Sequence, residues 1–189
     1  MSQQERNSMT EVSLEGNKPP SSLTQVGIIT KYEMSNYFRA RRFFILLGIA
    51  LAFSAVFTFL VAHYGVPAGG ALGLYSEWWG SSATYIVIFS AIFFGADAIS
   101  GEFQNKTGYF LVGNPIRRSS IYIGKWFAAL IASLIIIGIY TAIMLLNSFY
   151  YFGVSIPWQF GESFAFTLVY LIAALGLTFF FSSVFKSSE

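Results

Sequence analysis

The sequence predicts an all-α, polytopic membrane protein with four transmembrane helices, and three observations carry that prediction. Of 189 residues, 55% are hydrophobic and only 11% charged, whereas a soluble domain carries about 25% charged residues. The apolar residues are gathered into four runs, each close to the roughly 20 residues that a helix needs to cross a bilayer. The eleven Lys and Arg residues avoid every second segment between those runs, as they do when such segments alternate between the two sides of a membrane. A β-barrel is excluded, because its strands would be about 10 residues of strict alternation.

Residues 1–25 are polar and close on Pro19-Pro20 and Ser21-Ser22, a composition expected to form a disordered tail. Residues 26–42 have helical composition, with Ile28, Ile29, Tyr32, Met34, Tyr37 and Phe38 among basic side chains. These apolar positions do not fall on one clean stripe, so the segment is expected either as an interfacial helix or as a plain lead-in. The spans are expected at about 43–62, 84–103, 126–146 and 164–185, leaving residues 187–189 as a terminal end. The first follows Arg39, Arg41 and Arg42 directly and reads as an anchor and not as a cleaved leader.

Orientation follows from charge. Six Lys and Arg residues precede the first span, four lie in 104–125 and one, Lys186, follows the last, while 63–83 and 147–163 hold none. The expectation is a multi-pass cell-membrane protein with both termini and the 104–125 loop in the cytoplasm. Tyr64, Tyr75, Trp78, Trp79, Tyr150, Tyr151 and Trp158 in the outer segments are expected at the membrane surface.

Several chemistries are excluded by residue supply. There is no Cys and a single His, His63, so neither thiolate nor His-cluster metal sites are expected. A net charge of +2 does not suggest nucleic-acid binding. The spans offer isolated hydroxyls and one acid, without the converging groups that acid/base or nucleophilic catalysis needs, so no enzyme and no cofactor is expected. Gly124-Lys125 lacks the Gly five positions earlier and the following Ser or Thr of a phosphate-binding loop. Any ATP dependence must come from another chain.

Asp97 is the acid well inside an apolar run, where a carboxylate is costly. It is expected to pair with a cation such as Lys125 or to face the headgroups, with a role at a gate as the functional alternative. Small residues four apart, at Gly48 and Ala52, Ala91 and Gly95, Ala128 and Ala132, and Gly138 and Ala142, would let helices approach closely. The most informative stretch is 95–126, GADAISGEFQNKTGYFLVGNPIRRSSIYIGKW. It places Tyr109, Phe110 and Leu111 on a basic loop broken at Asn114-Pro115, and apolar groups on such a loop suit docking to a protein or to lipid.

Within that stretch, Asp97, Ser100, Gly101, Glu102, Thr107, Leu111, Pro115, Arg118, Gly124 and Lys125 resemble the pattern around the second and third spans of ABC type-2 permease subunits. The lead-in Lys31, Glu33 and Arg39 to Phe44 is similar to that family's opening helix. Lys106 stands where the family usually has Gly. Such permeases usually have six spans, so the resemblance implies a form lacking the last two.

The resemblance implies a permease subunit of an ATP-binding-cassette exporter, working with a separate ATPase subunit, a second permease subunit in a homo- or heterodimer, and membrane lipids. It implies that residues 26–42 are a connecting helix and that the loop from about 102 to 118 is a coupling helix. Phe103, Tyr109, Phe110 and Leu111 would form its apolar contact, and Glu102, Arg117 and Arg118 its polar contacts, with Pro115 shaping the turn. The alternative is a non-transporting membrane scaffold whose basic loop binds another protein or anionic lipid.

Overall fold

The computed structural model describes residues 21–65, 68–96, 98–99, 117–153 and 158–184. Among these residues the fold is all helical, with five helices in chain order: α1 Ser22–Arg39, α2 Arg41–Tyr64, α3 Ala68–Gly95, α4 Arg118–Phe152 and α5 Gln159–Val184. The last four each contain a stretch long and apolar enough to cross a membrane.

Helix boundaries follow local chemistry. Ser21 caps α1 by accepting the Thr24 amide at 3.3 Å. Ala40 is extended, with ψ 139°, and separates α1 from α2. Both α2 and α4 stop at a glycine in the left-handed half of backbone space, Gly65 (φ 60°) and Gly153 (φ 56°). Their amides return to the carbonyls of Val61 and Phe149, a helix end that a side chain would strain.

Three boundaries differ from the sequence expectation. α1 begins at Ser22, inside the segment read as tail. The second span was expected at 84–103, but α3 starts at Ala68 and ends at Gly95. Tyr75 and Trp79, expected at the membrane surface, are therefore helical and buried, whereas Tyr64, Tyr150 and Trp158 are exposed. The reason is packing: Tyr75 meets Phe57 of α2 edge-on at 4.6 Å between ring centroids, and Trp79 meets Phe160 of α5 at 5.1 Å. Finally, residues 118–125, read as loop, are the first turns of α4.

The four long helices alternate in direction. The end of α3, the start of α2, the start of α4 and the end of α5 share one end of the bundle with α1, as the contacts Tyr37–Phe94, Phe43–Phe94 and Tyr122–Phe179 show. All described Lys and Arg residues lie at that end, hereafter the basic end. Half of the α3 span is buried, against 17% of the α5 span. Accordingly α3 and α4 form the centre and each touches both α2 and α5.

Among the small-residue pairs, Ala91 with Gly95 and Ala128 with Ala132 are buried. Gly48 and Gly138 have open space where a side chain would sit. A side chain at Gly95 would overlap Thr178 of α5, so this glycine sets how closely α3 and α5 approach. Inside a bilayer such approach matters, because van der Waals contact replaces the hydrophobic effect between helices. Polar contacts also join the helices. Asn147 Nδ2 of α4 donates to Thr58 Oγ1 of α2 at 2.8 Å, and Ser182 Oγ of α5 accepts the Ile99 amide at 3.1 Å.

Candidate partner-docking platform

The stretch that the sequence singles out is flanked by the end of α3 and the start of α4, and both flanks are fastened to α1. The chain of α1 carries one acid, Glu33, among basic residues. Lys125, on the second turn of α4, donates to Glu33 Oε1 at 2.8 Å. The side chains of the pair are 8% and 14% exposed, so each charge depends on the other for the solvation it has lost. Lys125 thus meets Glu33 from a helix outside the four spans, while Asp97, the acid expected to pair with such a cation, lies outside the described residues.

The neighbouring glycine lets this happen. A Cβ at Gly124 would stand 2.8 Å from Ile29 Cγ2 and 3.2 Å from the Val26 carbonyl oxygen. The second obstacle is backbone and cannot rotate away, so only glycine admits α1 this close. The Thr30 hydroxyl uses the closeness, lying 2.8 Å from its own helix's Val26 carbonyl and 3.1 Å from the Gly124 carbonyl. The two letters Gly-Lys thus act together, one allowing the approach and the other supplying the charge.

Both ends of the platform are closed by further hydrogen bonds. Gln25, buried, accepts the Arg117 amide at 3.3 Å, a bond from α1 at the start of α4, where the N-cap residue Arg117 makes no side-chain cap of its own. At the other end of α1, the Tyr37 hydroxyl donates to the Phe94 carbonyl at 3.3 Å, in the last turn of α3. Burial first, and then the charge of Glu33, push the Tyr37 phenol well above its ordinary range, with Arg42 acting the other way. It therefore stays protonated and remains a donor. Phe38 and Phe43 pack edge-on at 4.9 Å beside it. The base of α4, the end of α3 and α1 form one interlocked unit.

Of the residues predicted for docking, Arg117 is exposed at the start of α4, with its amide held by Gln25. Arg118 is the first residue of α4, and its side chain lies outside the described residues. Glu102, Phe103, Tyr109, Phe110, Leu111 and Pro115, and also Asp97, lie outside the described residues. Sequence reasoning missed Gln25, Ile29, Thr30 and Tyr37 as the parts that hold α1 in place. A faint signal existed in Glu33, the sole acid in an otherwise basic segment.

The ABC-2 family transporter protein model matches residues 27–189, a range that includes most of α1 and every span. No curated protein and no solved structure matches the chain.

Proposed function

Because this chain belongs to the ABC-2 transporter family and is a permease subunit of an ABC transporter, we propose that it works as the membrane half of an exporter driven by a separate ATPase subunit. The supporting observation is the interlocked platform. A partner that pushes on the segment between α3 and α4 would act on two helices already tied to α1 through the Lys125–Glu33 pair. Force would then pass to the spans as a rigid-body displacement, which is what exchange between two packed arrangements requires. The basic end faces the cytoplasm, following the one-sided Lys and Arg distribution, and ATP hydrolysis takes place on the partner. A second permease subunit completes the path.

Co-purification with a cassette ATPase encoded beside this chain tests the docking. Wild type should retain the ATPase, and Phe110→Asp or Arg118→Glu should lose it. If wild type captures none, or the variants capture as much, the docking reading is wrong. Orientation is tested independently, and the lack of native Cys helps: Cys at Ser76 should react with a membrane-impermeant thiol reagent added to intact cells, and Cys at Ser119 should not. The reverse labelling would overturn the orientation.

One observation favours an additional lipid contact at the same end. α1 leaves Leu23, Ile28 and Tyr32 exposed beside exposed Lys31 and Arg39, a mixture that suits an anionic membrane surface.

A further inference from the structure

At the end of the bundle opposite α1, a cavity of about 490 Å³ lies between α3, α4 and α5. Along α3 it runs from Leu72 to Thr84, about 18 Å at the helical rise. This gives room for a single-chain amphiphile and too little for a whole two-chain phospholipid. None of the residues lining it is charged.

The lining changes character along its length. Ser148 of α4 and Gln159 and Ser163 of α5 lie near the helix ends, and their side chains have no hydrogen-bond partner among the described residues. Further in, the hydroxyls of Thr84 and Thr167 are turned back onto their own helices, to the carbonyls of Gly80 and Ser163, each at 2.9 Å. They leave the part further in to Trp79, Met144 and Tyr170. Trp79 is a fixed wall: its indole N–H donates to Thr141 at 3.4 Å and its ring packs on Phe160. Such an arrangement takes a polar head at the mouth and an alkyl chain inside.

Charge selects the head. The described charged side chains at this end are Glu77 of α3 and Glu162 of α5, both exposed, and the segments 63–83 and 147–163 contain no Lys or Arg. With both described charged side chains at this end carboxylates, a cationic head is favoured over an anionic one, and the aromatic side chains offer it their faces. We propose that the α3–α4–α5 cavity is a binding site for a single-chain amphiphile with a cationic head. Every lining residue belongs to α3, α4 or α5 of this chain, and the proposal does not depend on coupling to an ATPase.

The test uses the full chain in zwitterionic lipid nanodiscs, with alkyl chains of equal length brominated at the tail and carrying a trimethylammonium, maltoside or sulfate head. Bromine at the tail quenches indole fluorescence on contact, and Trp79→Phe reports the background from the other tryptophans. The trimethylammonium probe should quench Trp79 saturably, the maltoside more weakly, and the sulfate only in proportion to its membrane concentration.

Gly80→Leu should abolish the saturable part, since a side chain there starts in open space and enters the cavity while replacing a helix-weakening residue. Ser163→Leu should do the same from the facing helix, so that misfolding of one variant leaves the other decisive. The double change Glu77→Gln with Glu162→Gln should weaken trimethylammonium binding by about two- to fivefold, the scale of exposed charge pairs. Equal quenching by all three heads, purely proportional quenching, a preference for the neutral head, or saturable binding that survives both leucine variants would each overturn the proposal.

Discussion

At the basic end, α1 is joined to the bundle by directed polar contacts: the Lys125–Glu33 pair, the Gln25 bond at the start of α4 and the Tyr37 bond to the end of α3. At the opposite end, the helices meet mainly through rings, Phe57 with Tyr75, Phe57 with Trp78, and Trp79 with Phe160, and an open cavity remains between them. Directed bonds specify one geometry and resist sliding, whereas ring contacts tolerate small shifts and leave space. The first arrangement suits a lever that must move as a unit. The second suits a site that admits and releases a flexible molecule.

The comparison is broken or sharpened by substitutions whose expected costs differ. Lys125→Ala strips the partner from a carboxylate that is 14% exposed. It should destabilise the purified chain by about 3–5 kcal/mol in a thermal or denaturant titration, the range for breaking a buried pair from one side. The double change Lys125→Met with Glu33→Leu should recover most of that loss, because both charges go together. A double variant as unstable as Lys125→Ala would show that the pair is not what holds α1.

Gly124→Val should cost about 1–3 kcal/mol through overpacking against Ile29 and the Val26 carbonyl. Trypsin should then cut at Lys31 faster than in wild type; unchanged cleavage would mean that α1 docks without this close approach. The smallest effect is expected at the opposite end. Asn147→Leu removes the 2.8 Å bond to Thr58 and should cost about 0.6 kcal/mol, the average for hydrogen bonds between membrane helices. A loss at Asn147 as large as at Lys125 would erase the contrast between the ends.

Much of the architecture was legible from composition. The first and fourth spans, expected at 43–62 and 164–185, are contained almost wholly in α2 and α5, because long apolar runs without charge have few alternatives in a bilayer. The second span was displaced for a physical reason. Residues 68–83 carry four glycines, three serines and Glu77 and read as loop, yet Tyr75 and Trp79 recover the helix by burying their rings against α2 and α5. The residues after Gly95 look apolar enough to continue, but the chain turns at Ala96 and Ile99 is tied to Ser182. Neither event leaves a local signal, since each depends on a residue far away in the chain.

The start of α4 teaches the same lesson from the other side. Arg117, Arg118 and Lys125 read as loop because isolated cations are disfavoured in an apolar helix, and that inference fails once Glu33 is brought alongside Lys125. Gly124 and Lys125 were visible in the sequence as a pair of letters resembling a family pattern. Their division of labour, close approach and charge, became visible only with α1 in place.

By itself the sequence determined that this protein has four apolar helices, that its positive charge lies at one end of them, and which family pattern it carries. These properties are set by residue type and order, through transfer free energies that act on each segment separately. Only the tertiary structure decided where α1 rests, which acid meets Lys125, where α3 begins, and that a cavity without a charged lining remains between α3, α4 and α5. Those depend on contacts between residues far apart in the chain, where one glycine or one ring selects among packings that composition leaves equivalent.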